Sequence, residues 1–220
     1  MTENKYIVGN TYIDKSSKKH PDDQLLRWLD NDNVSIANLG GIRKKSYTKI
    51  EKKDVHNLPS SLFLFTEKTN NSSLENPWKD QFDLITGDIN YWGDAKYDKT
   101  KRKTKILDWN GNKVLNLIFK SIKNFRDLIP PIFHFTKDKV GEVTFNGIFT
   151  ISKLNKEKFI HKGHEIDNFI VNLKKMDVDE IYLSWINYRS GVSSINQINQ
   201  SNEMDKIPEK WIQYINGDQN

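Results

Sequence analysis

No cysteine occurs among the 220 residues. A disulfide framework and a thiolate zinc site are therefore excluded, and only carboxylate or histidine chemistry could hold a metal. Long apolar runs are also missing. No stretch approaches the roughly 20 residues needed to cross a bilayer, and the opening MTENKYIVGN lacks the basic-then-apolar order of a secretory signal. The expectation is a cytoplasmic protein with no membrane partner. P-loop, dinucleotide and Ser/His/Asp nucleophile patterns are absent, as are internal repeats.

What the sequence does contain is charge and aromatic residues. Lys and Arg number 34 against 29 Asp and Glu, a net charge of +5 with a pI near 9.1. Such a balance favours an anionic partner without requiring one. Its distribution says more: Lys96, Lys99, Lys101, Arg102, Lys103 and Lys105 fall within ten residues. Such a run is either a solvated loop or a phosphate-binding one, and the aromatics Tyr91, Trp92 and Tyr97 beside it suit a nucleic acid, because phosphate contacts hold a backbone while rings handle bases.

With 36% hydrophobic residues the chain can bury one substantial core. Residues 8–13 and 61–66 read as strands and 36–42 as a second short element, with a helical turn at 24–29, and the turn-rich 68–77 reads as an exposed loop. From 110 to 126 the period changes, placing Val114, Leu117, Ile118, Ile122 and Phe125 on one helical face. After Pro130-Pro131, the segments IFHFT, EVTFNGIFTIS and DNFIVNLKK alternate as antiparallel strands. VDEIYLSWINYR and IPEKWIQYI then read as helices, with Pro208 suited to a first helical position and Gly217 to a C-terminal cap. The expected fold class is α+β: a curved antiparallel or mixed sheet, or partial barrel, with flanking helices.

The stretch FDLITGDINYWGDAKYD, residues 82–98, concentrates the candidate chemistry. Asp94-Ala95-Lys96 is a D-x-K, and with Asp88, Asp80 or Asp83 as a preceding acid it would form the site of a self-contained metal-dependent endonuclease. His161 and His164 read as loop residues rather than ligands, and His134, between phenylalanines, as a hydrogen-bonded histidine of the sheet. Trp109 reads as core.

The order ITGDINYWGDAKYD, a basic loop, WNGNKVL, PPIFHF, VTFNGIF and IPEKWIQYI resembles the N-terminal DNA-reading domain of modification-dependent restriction endonucleases of the AspBHI and MspJI kind, over roughly residues 60–215. That resemblance implies an SRA-like fold, a curved sheet that flips a modified cytosine out of duplex DNA. It assigns Thr86, Gly87 and Asp88 to the base pocket, with Asp88 accepting from the cytosine amine. Ile85 stands where many SRA domains have a stacking tyrosine, which leaves Tyr91 or Trp92 to stack. The lysines of the basic loop then hold the DNA backbone. The resemblance also implies one domain over 1–220, with a core at about 60–190 and a helix at 207–217 leading to a nuclease domain beyond this chain. It implies no cofactor for the reader, Mg2+ for the parent nuclease, a full-length protein compatible with homo-oligomers, and a role in restriction-modification and phage defence.

Overall fold

Alternation of apolar and polar residues marks out strands along much of this chain's core, and a computed structural model shows how they assemble. It describes residues 4–15, 19–29, 37–38, 41–67, 77–98, 105–199 and 206–218. The N-terminal part contributes β1 (Lys5–Ile7), β2 (Thr11–Ile13), a helical turn α1 (Leu26–Leu29), β3 (Ala37–Asn38), β4 (Ile42–Lys45) and β5 (Ser61–Glu67). Next come β6 (Gln81–Phe82), β7 (Ile89–Trp92) and helix α2 (Asn110–Ser121). The long strands β8 (Ile132–Lys139), β9 (Glu142–His161) and β10 (His164–Lys175) follow, and β11 (Glu180–Tyr182), α3 (Leu183–Gly191) and α4 (Glu209–Asn216) close the order.

Nine of these strands form one mixed sheet in the order β3-β4-β5-β8-β9-β10-β7-β6, with β2 added to the start of β9. Among the described residues the sheet ends at β3 and β6 without joining them, so it is curved and open rather than a closed barrel, as the sequence leads one to expect. Its pairings are antiparallel except that of β5 with β8, which is parallel from Leu62↔Ile132 to Glu67↔Lys137. β1 and β11 form a separate two-stranded sheet. β9 and β10 make a long hairpin whose tight turn, Lys162-Gly163, has positive φ at both residues (52° and 77°), the twist that suits a two-residue connection.

The core sits between the sheet and the helices. Phe63, Phe133, Phe135, Phe145 and Phe149 are almost fully buried from adjacent strands, and Trp185 and Trp211 cover them from α3 and α4. Burying each such side chain contributes about 1.5–3 kcal/mol. From α2, Val114, Leu115 and Ile118 face this core. The expected helix over 110–126 stops at Ser121, whose carbonyl accepts from the N–H groups of Asn124 (3.2 Å) and Phe125 (2.7 Å). This tightened turn keeps Ile122 and Phe125 packed against the core, which is why the helical periodicity outlasts the helix.

Three other expectations need correction. Residues 8–13 are not one strand: a turn at Gly9 (φ +85°) separates β1 from β2. Residues 180–182 pair as β11 before the helix begins, and Pro208 caps α4 from just outside instead of occupying its first turn. The expected loop at 68–77 lies, but for Pro77, outside the described residues.

Candidate nucleic-acid interface

The hairpin β6-β7 ends in a turn built on Asp83. Its Oδ1 accepts the N–H groups of Ile85 (2.8 Å) and Thr86 (3.1 Å), and its carbonyl accepts that of Gly87 (2.8 Å). Gly87 has φ +74°, a conformation that side chains resist. Asp88 fastens the turn to β10: Oδ1 accepts the backbone N–H of Lys175 at 2.9 Å, and Oδ2 pairs with the Lys174 ammonium at 3.0 Å.

β7 then presents two faces, as successive residues of a strand must. Ile89 and Tyr91 are buried, and Tyr91 lies edge-on to His134, its phenol pushed well above its ordinary pKa mainly by burial. Asn90 points the other way and receives a hydrogen bond from the Asn172 amide, which in turn accepts from Asn155 Nδ2 at 3.3 Å. This row of amides crosses β7, β10 and β9. It forms the floor of an open groove of about 590 Å3 lined by Asp88, Asn90, Lys153, Asn155, Asn172 and Lys174. Trp92, two residues beyond Asn90, meets Phe159 edge-on at 5.5 Å.

The second Gly-Asp of the motif is a joint of the fold. Asp94 is buried, and its two oxygens accept the N–H groups of Gly111 and Asn112, both at 2.9 Å, at the start of α2. Asn112 Oδ1 in turn accepts from the Asp94 N–H at 3.1 Å, and its Nδ2 donates to Asn168 at 3.0 Å. Gly93 and Gly111 let these parts approach: a Cβ on Gly93 would stand 1.8 Å from Asn112 Oδ1, and one on Gly111 would stand 2.8 Å from the Asp94 carboxyl carbon. An acid that caps a helix in this way is committed to holding the start of that helix. Asp88, at the far end of β7, lies more than about 10 Å away along an extended strand. The proposed set Asp88, Asp94 and Lys96 therefore does not converge, and Lys96 instead lies over the Trp78 ring at 5.5 Å.

A buried polar chain runs beneath this region. Thr66 Oγ1 donates to Asp80 Oδ2 at 2.5 Å and lies 2.9 Å from His134 Nε2, and Asn146 meets the other ring nitrogen at 2.9 Å. Asp80 Oδ1 also accepts the Trp92 N–H at 2.7 Å. Burial outweighs both hydrogen bonds and lifts the Asp80 carboxyl to about 6, and burial alone lowers His134 to about 3. His134 is thus the hydrogen-bonded sheet histidine the sequence suggests. His161, by contrast, is buried and accepts the Tyr97 N–H at 2.9 Å, while His164 stacks on the Tyr97 ring at 3.8 Å.

Among the residues expected to bind, Asp88 lines the groove. Thr86 is exposed on the turn outside it, Tyr91 belongs to the core, and Trp92 flanks the amide row. Lys99, Lys101, Arg102 and Lys103 lie outside the described residues; Lys96 and the exposed Lys105 border them. Sequence reasoning missed Asn90, Asn155 and Asn172. The even spacing of Asn168 and Asn172 in DNFIVNLKK was the available signal, but the pairing of β9 with β10 and β7 was needed to align the others.

The described strands thus form an open, curved mixed sheet that carries a polar, lysine-edged groove near one edge. The chain belongs to the family described as restriction endonuclease AspBHI N-terminal, whose profile matches residues 6–220. The fold is similar to that of the DNA modification-dependent restriction endonuclease AspBHI, with TM-score 0.69 and 20% identity, covering 98% of this chain and 92% of that one. The DNA recognition domain of the cytosine modification-dependent restriction endonuclease LpnPI aligns with TM-score 0.64 and 21% identity over 90% and 87% of the two chains. MspJI restriction endonuclease in complex with a 27-mer oligonucleotide aligns with TM-score 0.74 and 17% identity, covering 97% of this chain and 52% of MspJI. No curated protein sequence matches the chain.

Proposed function

We propose that this chain is the specificity domain of a modification-dependent restriction system, binding duplex DNA and reading 5-methyl- or 5-hydroxymethylcytosine flipped into the groove beside β7. The observation that carries the reading is the amide row Asn90-Asn172-Asn155 in a groove of about 590 Å3 edged by Lys153 and Lys174. A volume of a few hundred Å3 suits a small-molecule-sized ligand. Carboxamides supply donors and acceptors together, as a base edge requires, and ammonium groups at the rim suit phosphates. The family match, and the similarity to the DNA recognition domain of a cytosine modification-dependent restriction endonuclease, point the same way.

Asp88 keeps the role of accepting from the cytosine amine. Its partner in the free protein is the largely exposed Lys174. Such a surface pair contributes only about 0–1 kcal/mol, so the ammonium can transfer to a phosphate and release Oδ2 toward the groove. Lys96 to Lys105 serve as backbone contacts. We assign cleavage, with its Mg2+, to a nuclease domain other than this one, consistent with Asp94 being a helix cap.

The test is binding to matched duplexes carrying C, 5-methyl-C, 5-hydroxymethyl-C or glucosylated C, without added metal. At least tenfold tighter binding of one modified duplex is expected. Equal affinities for all four would refute the reading, and cleavage by this chain with magnesium or manganese would refute the assignment of catalysis elsewhere.

A further inference from the structure

Near the opposite edge of the sheet from the groove, the connection between β4 and β5 closes over a cavity of about 100 Å3. Its apolar side is formed by Ile50, Val55 and Leu58, all buried in the core. The connection is fixed in shape. The Asn57 N–H donates to the Lys52 carbonyl (2.7 Å), that of Leu58 to Val55 (2.8 Å) and that of Ser60 to Lys45 (2.8 Å). His56 and Asn57 both take positive φ (51° and 62°), and the His56 ring stacks on Phe125 at 3.9 Å, which fastens the turn to the segment after α2. The cavity is therefore preformed.

Two cations share this small space. Lys44, half-buried on β4, and Lys52, on the connection, both line it, and no carboxylate does so. Neither lysine has an ion-pair partner among the described residues; the adjacent Glu51 is taken by Lys53 at 2.9 Å. Burial holds the Lys44 ammonium below its ordinary pKa, and the nearby Lys52 charge lowers it further. Like charges held together at a preformed recess carry an electrostatic cost that a bound anion removes. The volume sets the class of that anion, because it is well below the roughly 300–1,000 Å3 of pockets for drug-sized ligands. A compact, doubly charged tetrahedral oxyanion matches both the space and the charge. We propose that this cavity is an oxyanion site that takes one phosphate group, with Lys44 and Lys52 as its charged donors and Asn57 as a neutral one. The chemistry is the same for free orthophosphate and for a phosphate on a nucleic-acid strand, and the test separates the two.

The full chain is melted, and titrated by calorimetry, in sodium phosphate and in sodium chloride of equal ionic strength. Alongside it go Lys44→Gln/Lys52→Gln, the single Lys52→Gln at an exposed position, and a charge-matched control, Lys49→Gln/Lys53→Gln, on the same connection but outside the cavity. Phosphate should raise the wild-type melting temperature saturably above the chloride value. Lys52→Gln and the Lys44/Lys52 pair should weaken phosphate binding by about tenfold or more, the effect of losing a charge-assisted hydrogen bond, while melting no lower than wild type in chloride. The control should respond to phosphate as wild type does. A wild-type protein that melts alike in both salts overturns the site, whatever the variants do. So does a cavity variant that keeps the full phosphate response, or a control that loses it equally. Plain duplex then identifies the source: affinity unchanged in the Lys44/Lys52 pair assigns the site to a free anion, and affinity lost together with the phosphate response assigns it to a strand phosphate.

Discussion

Gly87-Asp88 and Gly93-Asp94 are the same dipeptide, six residues apart, at the two ends of β7. At the first, glycine supplies a positive φ and the carboxylate sits at the rim of the groove, bonded to one N–H and one exposed ammonium. At the second, glycine supplies space, and the carboxylate is 6% exposed with both oxygens on the start of a helix. One carboxylate is paired with an exposed, exchangeable ammonium; the other holds sheet and helix together. A dipeptide motif carries no information about which of these it is, because the difference lies in what packs against it.

Gly93→Ala should show the contrast most strongly. A methyl 1.8 Å from Asn112 Oδ1 and 2.6 Å from Asn168 Oδ1 must break the joint, so stability should fall by about 3 kcal/mol or more in urea unfolding. Gly87→Ala meets only the movable end of Lys175 and an unfavourable φ, and should cost about 1 kcal/mol. Equal losses would mean the two glycines do the same job.

Next in size is the pH dependence of the buried chain under β7. His134, lowered from 6.5 to about 3, favours folding fully above pH 6.5, and that contribution disappears as pH falls toward 3. Asp80 works in the opposite sense. Raised from 3.8 to about 6, it favours the folded state below pH 3.8 and loses that contribution, about 3 kcal/mol, as pH rises through 6. Relative to wild type, Asp80→Asn should gain stability between pH 4 and pH 8, and His134→Gln should lose less on acidification. Thermal melts across this range check both signs.

Asp88→Ala should separate the two carboxylates again. Its stability loss should be about 1 kcal/mol, against about 3 kcal/mol for Asp94→Ala, yet Asp88→Ala should erase most of the preference for modified DNA. If Asp88→Ala still discriminates, the residue is only a turn fastener. The smallest effect belongs to the basic loop. Replacing Lys101, Arg102 and Lys103 together should weaken plain and modified DNA alike and flatten the salt dependence by up to about one unit of slope for each phosphate that is no longer neutralised.

How much was legible follows from these particulars. Phe63, Phe65, Phe133 and Phe135 alternate within short runs, so β5 and β8 could be read locally, as could α2 from its apolar period and Gly217 from its position after α4. The parallel pairing of β5 with β8 could not, because nothing in either segment names a partner so distant. For the same reason Asp88 could be singled out as a candidate while Asn155 and Asn172 could not: each is an ordinary polar residue until β9 and β10 are laid side by side. Tyr91 and Trp92 illustrate a finer limit, since one step along a strand separates core from surface and the turn before them sets the phase.

The pairing of β1 with β11 has a consequence for how the protein is made. Lys5 reaches its partner Glu180 across 175 positions of sequence. At a ribosomal pace of about 5–20 residues per second, the first strand is synthesised roughly 9–35 seconds before β11. Tyr6 packs against Tyr12 and Trp28 nearby and against Phe135 and Phe145 far along the chain, so its full cover also arrives late. The closing of the small sheet is therefore a late event, and the newborn chain passes through a state in which an apolar edge is open to chaperones before it is open to nothing.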